Sequence, residues 1–268
     1  MPQLSLIIAI YNKPEVLRLV LAACARQSFE GFEVIAADDG SGPEIADVIA
    51  AARELRRFSI THVWHERAGW RKNKMLNSAI RAAGAEYLAF IDGDCLPGKD
   101  FLLDHWNQRE TKRVLCGRRV EMSERWARSL TVQKVASGEF ERMGVAELID
   151  GLRGKAARLE DGIRIRSAWV RGFRPVDSML GSNFSAHKAD LAAVNGFDET
   201  YDGPGIGEDA DIQHRLALVG VTGKSLRNLA IQFHVYHPAT RPSERSLRRW
   251  EMVKQTTNPR CEHGLDGS

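Results

Sequence analysis

Residues 88–97 read Leu-Ala-Phe-Ile-Asp-Gly-Asp-Cys-Leu-Pro, and the fold turns on how this stretch is read. Four apolar residues, Leu88 to Ile91, run straight into Asp92, Gly93 and Asp94. A short unbroken apolar run bounded by turn residues predicts a buried central strand. Two carboxylates one residue apart then stand at its carboxyl end, the edge where ligands bind in open α/β sheets. Gly93 lets the backbone turn there with no side chain in the way. Paired carboxylate oxygens suit a hard divalent cation, and such a cation also binds phosphate oxygens. The stretch therefore points to a site for a metal and a diphosphate. A plain strand followed by an Asp-Gly turn competes with that reading.

Upstream, strands and helices alternate. Leu4 to Ile10 is an apolar strand, and Pro14 after Tyr11-Asn12-Lys13 suits the first turn of a helix. Val16, Leu17, Val20, Leu21 and Cys24 carry a helical period over 15–27. A strand over 32–37 ends in Asp38-Asp39-Gly40-Ser41. A helix over 43–55, a strand over 60–64 and a helix over 72–83 lead into the central strand. Such alternation implies parallel strands with helical crossovers, a Rossmann-like nucleotide-binding half over 1–98. No G-x-G-x-x-G follows the first strand, which disfavours a dinucleotide dehydrogenase.

Downstream the pattern predicts a helix over 100–108 and a strand over 113–120. Residues 123–174 read as an insertion that covers the site or shapes an acceptor pocket, with helical pieces at 127–136 and 145–152. A block from Met179 holds Gly181-Ser182-Asn183-Phe184, a helix over 188–194 and Gly196-Phe197-Asp198-Glu199. A helix then opens at Gly205 and runs through Val219, and a final strand over 229–237 carries His234 and His237. Gly203, Gly205 and Gly207 predict a close-packed substrate wall. The expected layout is one domain over 1–237, with 99–237 as its acceptor-binding half. A basic tail over 238–268 would hold a helix at 244–254 and a loose end.

Composition sets the class. The 268 residues are 43% hydrophobic and 27% charged, with a net charge of +3, which suits a globular protein and gives no argument for nucleic acid. Arginine is dense after Lys112, as a solvated face or as a basic face toward anionic substrates or a membrane surface. Four cysteines, Cys24, Cys95, Cys116 and Cys261, lie far apart without metal-type spacing and read as reduced thiols of a cytoplasmic protein. No apolar stretch approaches the ~20 residues of a spanning helix. A place at the inner face of a membrane, by peripheral association, is compatible with this.

Taken in order, Ile10-Tyr11-Asn12, Asp38-Asp39-Gly40-Ser41, Arg71 through Asn77, Asp92-Gly93-Asp94, Gly181-Ser182-Asn183-Phe184, Gly196-Phe197-Asp198-Glu199 and Gly207-Glu208-Asp209-Ala210-Asp211 resemble an inverting glycosyltransferase of family 2. The second half is similar to the carboxyl-terminal block of β-1,4-galactosyltransferases and chondroitin-polymerase-type enzymes. The resemblance implies a GT-A fold, an α/β architecture with a mixed, mainly parallel sheet and helices on both faces. It implies a nucleotide-sugar donor, a UDP-hexose with dTDP-sugar as close competitor, and a saccharide or glycolipid acceptor in bacterial surface polysaccharide assembly. Ile10, Tyr11 and Asn12 would line the base pocket, and Asp39 would accept from uracil and ribose. Arg71, Lys72, Lys74 and Asn77 lie in the segment that would contact the base or diphosphate, with Asp92 near the ribose or a metal-bound water and Gly93 at the donor nucleotide. Asp94, His237 and His234 would hold Mn²⁺ or Mg²⁺, and imidazole with carboxylate favours Mn²⁺. An i, i+3 pair does not share one side of a regular strand, so the two histidines would need a turn to meet. Asp209 matches the family's catalytic base, with Glu208 holding the acceptor, while Asn183 and Asp211 would bind the acceptor. Family enzymes often carry Asp where Ala210 stands.

Two other classes stay open on the residues alone. A nucleotidyltransferase shares the α/β half and the metal, but Tyr11-Asn12-Lys13-Pro14 stands where its Gly-rich loop would be. A non-catalytic sugar-nucleotide-binding module would not need both Asp94 and Asp209. Trp70, Trp169 and Trp250 are sugar-stacking candidates that could equally be packing residues.

Overall fold

The computed structural model describes residues 1–203, 208–238 and 243–267. Its first half is the predicted alternation of β1 (Leu4–Ile10), α1 (Pro14–Cys24), β2 (Phe32–Asp38), α2 (Pro43–Glu54), β3 (Ser59–Trp64), α3 (Lys72–Ala82) and β4 (Tyr87–Asp92). The four strands run parallel in the order β3-β2-β1-β4. Helices cover both faces, so the strands are apolar on both sides. Leu4, Leu6 and Ile8 pack with Leu17 and Val20 of α1 and Ile45 and Val48 of α2. Ile7, Ile35 and Phe90 face the other way, onto Met75, Leu76 and Ile80 of α3. This is the period-2 alternation of a strand meeting the 3.6 period of a helix.

Beyond β4 come β5 (Cys95–Pro97), α4 (Phe101–Gln108), β6 (Arg113–Cys116) and β7 (Val120–Glu121). The single strand predicted over 113–120 is therefore two. It breaks at Gly117, where a Cβ would lie 2.0 Å from Asn183 Oδ1. Within 123–174 lie α5 (Glu124–Arg128), α6 (Val132–Ser137), α7 (Val145–Leu152) and α8 (Ala168–Arg171). The helix predicted at 127–136 is interrupted because Thr131 caps α6, its hydroxyl accepting from the Lys134 amide.

Then follow β8 (Phe184–His187), α9 (Lys188–Ala193), α10 (Glu208–Leu218), β9 (Thr222–Ser225), β10 (Gln232–His234) and α11 (Glu244–Val253). β8 inserts antiparallel between β4 and β6, completing a seven-stranded sheet in the order β3-β2-β1-β4-β8-β6-β9. β9, Thr-Gly-Lys-Ser, is a polar edge strand with no apolar signal to predict it. The long final strand expected over 229–237 contracts to three residues, β10. It joins β5 and β7 in a second sheet, antiparallel to one and parallel to the other.

The tail is not loose at 244–267. Arg249 clamps Asp198 with Nε at 2.8 Å and Nη2 at 2.6 Å. The Leu265 amide donates to Asn195 O at 2.9 Å, and Asn195 Nδ2 donates to Cys261 O at 2.8 Å. All four cysteines are free and buried.

Phe184 of β8 locks the late strand to the early ones. Its ring stacks on Phe90 at 4.3 Å with planes 4° apart, and Phe197 closes the cluster edge-on, 6.0 Å from Phe90. Phe184→Ala should lower stability by about 3–5 kcal/mol, and Phe184→Leu by clearly less, measured by urea unfolding.

Candidate active site

In the main sheet β1 has β2 and then β3 on one side and β4 on the other, so the winding reverses between β1 and β4. The crevice beyond such a switch point is where open α/β sheets bind ligands. Here it opens into a cleft of about 910 Å³, lined by Tyr11, Asp39, Asp92, Asp94, Asp209 and His237 among others. Gly93 is the hinge of this edge. Its amide donates to Ala9 O at 2.7 Å, and a Cβ would stand 2.9 Å from that oxygen, so only glycine lets β4 turn this close to β1.

On one side of the cleft lies Asp39, just past β2. Its Oδ1 meets His65 Nε2 at 2.8 Å, and its Oδ2 accepts from Arg67 Nη1 at 2.7 Å and from the Arg71 amide at 3.0 Å. The Arg67 guanidinium also lies 4.1 Å over the half-exposed Tyr11 ring. Ile10 ends β1 and accepts from the Asp39 amide at 2.9 Å. Asn12, left-handed at φ 52, joins two loops: its amide donates to Ser41 Oγ at 2.8 Å and its Oδ1 accepts from the Gly42 amide at 3.2 Å. The α3 residues differ from expectation. Of the two lysines expected there, Lys72 lines the cleft and holds Asp92 Oδ1 at 2.8 Å, and Lys74 does not line it. Arg71 contributes its backbone. Asn77 is fully buried away from the cleft, its amide donating to Phe197 O at 2.8 Å and its Oδ1 accepting from the Phe197 amide at 2.9 Å. Its carboxamide braces the 196–199 loop.

Across the cleft Asp94 and the histidines meet. β10 ends at His234, so the chain is free to turn back before His237, which resolves the i, i+3 difficulty. The two Nε2 atoms lie 3.1 Å apart, and they stand 3.5 and 3.4 Å from the two Asp94 oxygens. A cation bound at ~2.1 Å with ligands at right angles has edges of about 3.0 Å, so this donor set fits one. The second sheet builds it: Cys95, His234 and Glu121 stand in register on neighbouring strands. Glu121 takes the Nδ1 side of His234, which points Nε2 at Asp94. A carboxylate behind a histidine ligand sets its tautomer and orientation in this way. Burial opposes charge on His234, but its hydrogen bonds to Asp94 and Glu121 outweigh it and raise its pKa. Burial likewise raises Asp94, and His234 and Lys13, whose Nζ is 3.0 Å away, more than reverse this and hold it well below the usual carboxylate range. The pocket thus favours positive charge. Burial pushes the neighbouring Cys95 thiol well up, which leaves it a poor ligand.

Glu208 and Asp209 open α10 at the back of the cleft. Burial, then the Asp209 charge, pushes Glu208 up to about 7. Asp209 is also raised, by burial first. Its Oδ2 accepts from the Gly181 amide at 2.7 Å, and a Cβ on Gly181 would lie 2.3 Å from Oδ1. Burial disfavours charge on Lys72, but Asp92, Glu208 and Asp209 more than compensate and raise it. Asn183 and Asp211 fall outside this group. Asn183 is fully buried, donating to Arg118 O at 2.7 Å and Ala230 O at 2.9 Å. Asp211 pairs in the core with Arg215, which also donates to Val194 O at 2.6 Å and Gly196 O at 2.9 Å. Both are framework residues. Trp70 lines the cleft, whereas Trp169 is exposed and Trp250 packs against His214. Gly205 and Gly207 lie outside the described residues.

Sequence reasoning missed Lys13, His65, Arg67, Arg119 and Glu121. Arg119 donates to Glu121 at 2.9 Å and Ser182 Oγ at 3.0 Å and stands 3.8 Å from Asp92. A signal existed for it: Arg119 and Glu121 flank Val120, and alternation across a strand sends both to one side.

Comparisons with known proteins bear on the family and the fold. The family described as Glycosyl transferase family 2 matches residues 5–171, and one described as N-terminal domain of galactosyltransferase matches residues 168–238. Validoxylamine A glucosyltransferase of Streptomyces hygroscopicus subsp. jinggangensis (strain 5008) is 31% identical over 229 residues, covering 82% of this chain and 52% of that protein. The chain thus spans about half the length of the curated relatives it matches first. The solved mannosyltransferase PcManGT from Pyrobaculum calidifontis, in complex with GDP-Man and Mn²⁺, superposes with a TM-score of 0.57 at 16% identity, covering 94% of this chain and 61% of that one. S. aureus TarS 1-349 in complex with UDP gives a TM-score of 0.54 at 18% identity, covering 88% and 61%. At such identities the likeness establishes the fold, the GT-A arrangement. With the family match spanning more than half of its residues, the chain belongs to glycosyl transferase family 2.

Proposed function

We propose that this chain moves a hexose from a nucleotide-sugar, a UDP-sugar in first place and a dTDP-sugar in second, to a hydroxyl of a saccharide or lipid-linked acceptor, with inversion and with the help of a divalent cation. One observation carries the reading: a cation-fitting trio, Asp94, His234 and His237, and a carboxylate pair of raised pKa, Glu208 and Asp209, line the same cleft. Asp39, His65, Arg67 and Tyr11 hold the nucleoside end, with a carboxylate for base or ribose donors and a ring for stacking. Asp94, His234 and His237 would hold Mn²⁺, or Mg²⁺, which when bound would supply charge stabilisation to the departing diphosphate. Lys13, Lys72 and Arg119 add positive charge at the same place. Asp209 takes the proton from the acceptor hydroxyl, whose oxygen attacks the anomeric carbon. The carbon–oxygen bond to the diphosphate breaks, and the diphosphate leaves with the electron pair. A raised pKa suits a carboxylate that must accept a proton near neutral pH. Glu208, beside it, orients the acceptor. The named glucosyltransferase relative and the UDP-bound neighbour support a hexose donor of this kind. Bacterial surface polysaccharide assembly at the cytoplasmic face is the setting this suggests, and the free buried cysteines suit it.

The test is nucleotide release from a panel of UDP- and dTDP-sugars with Mn²⁺, with Mg²⁺ and with chelator. Release should depend on the cation. Asp209→Asn should cost about 10²- to 10⁴-fold in transfer while Mn²⁺–UDP still raises the melting temperature; unchanged turnover with acceptor rejects Asp209 as the base.

Metal affinity, titrated directly, should fall sharply in His234→Ala and His237→Ala, and about 10- to 100-fold in Glu121→Gln. If all three bind Mn²⁺ as the unsubstituted chain does, the ligand assignment is wrong.

Glu208 also makes a pH prediction. Its folded value of about 7 lies above the ordinary 4.5, so the folded state holds its proton more tightly. Its stabilising contribution is then full below pH 4.5 and is lost as pH rises through 7. Denaturation from acid to neutral pH should show this loss in the unsubstituted chain and a flatter profile in Glu208→Gln.

A further inference from the structure

α7 is an amphipathic helix turned outward. Val145, Leu148, Ile149 and Leu152 follow the i, i+3, i+4, i+7 spacing that ordinarily seals a helix to a core, yet they are 40% to 90% exposed. The polar face is the one held inside. Asp150 is buried and accepts from the Ser123 hydroxyl and from Arg125 Nε at 3.0 Å. Glu147 accepts from Arg125 Nη2 at 3.0 Å and from the Gly144 amide at 2.9 Å. These bonds fix the helix with its apolar stripe toward solvent. The same segment exposes a second apolar knob, Trp169, Val170 and Phe173, with the two rings 4.6 Å apart.

The charges of the segment are sorted in the same sense. Glu147 and Asp150 are tied to Arg125, and Glu160 and Asp161 to Arg227. Arg153, Lys155, Arg158, Arg166 and Arg174 are exposed, and none makes a salt bridge among the described residues. The exposed acids of the segment, Glu124, Glu139 and Glu160, are each paired with a basic side chain, so the unpaired charge around the stripe is cationic. No helix among the described residues is long and apolar enough to cross a membrane, so contact with lipid would be at the surface.

We infer that α7 with residues 153–158 is a docking surface for an anionic lipid bilayer. The stripe enters the headgroup boundary, and the basic side chains meet lipid phosphates. An anionic bilayer is favoured because its boundary offers phosphates for the unpaired basic side chains and an apolar layer for the stripe together. The inference does not rest on the reading of the cleft, although it would bring a lipid-linked acceptor to it.

The test is co-sedimentation of the full chain with phosphatidylcholine vesicles, plain or containing about one-third phosphatidylglycerol. The chain should pellet with the anionic vesicles and leave them as salt rises to about 0.5 M. Leu148→Gln with Leu152→Gln, and separately Arg153→Glu with Lys155→Glu, should each lower partitioning by roughly tenfold or more, since each basic residue contributes about fivefold. Their unfolding midpoints should not change, because all four positions are exposed. Equal binding by the variants, or none by the unsubstituted chain, overturns the inference. So does a dimer in sedimentation velocity that Leu148→Gln with Leu152→Gln dissolves while no vesicles are bound; the stripe would then belong to a second copy.

Discussion

The register of a three-residue strand governs the candidate site. β10 pairs His234 with Cys95 on one side and with Glu121 on the other. The first pairing sets an imidazole beside Asp94, whose carbonyl accepts from the Val235 amide at 2.9 Å. The second sets a carboxylate behind that imidazole. A slip of one residue would send His234 to the opposite face and dismantle both relations at once. β10 is held at this register by Phe233, which is fully buried against Trp126 and Phe140 at 5.8 and 5.4 Å. Aromatic packing under the small sheet thus fixes polar geometry above it.

The cleft is an electrostatic compromise. Asp39, Asp92, Asp94, Glu208 and Asp209 crowd one end of a sheet, where like charges close together are costly. Each of the first three has a cationic or ring-nitrogen partner within 3.0 Å: His65 and Arg67, Lys72, and Lys13. The last two have Lys72 at longer range, and Asp209 also Arg119, and they are the carboxyls pushed upward. Poor pairing and burial thus leave Glu208 and Asp209 as the carboxyls best placed to exchange a proton, while close pairing holds Asp94 low.

Legibility in the sequence followed the range of the forces involved. The βαβ alternation through Asp92 was readable because each strand is buried on both faces and each helix carries one apolar stripe. The paired carboxylates and the histidines were readable as chemistry because their residue types are scarce in such positions. What failed was long-range. Asn77, Asn183 and Asp211 sit in motifs that look functional, yet their side chains bind backbone carbonyls, amides and an arginine inside the frame. Nothing local distinguishes a carboxamide bracing a loop from one touching a ligand. Lys13, His65 and Arg67 were missed for the converse reason, since their partners lie 26 to 81 positions away in the chain. β9 and β10 were misjudged because four polar and three mixed residues become strands only when neighbours offer their edges.

The central sheet is assembled out of order, and that shapes its birth on the ribosome. β4 emerges with β1 on one side and a bare hydrogen-bonding edge on the other, and the strand that covers it, β8, follows only about ninety residues later. Until then Leu88 and Phe90 lie beside an open seam through most of the translation of residues 93–183. A nascent chain in that state is at risk of pairing with a foreign strand, and a holding chaperone or fast early compaction of 95–174 over the seam would shield it.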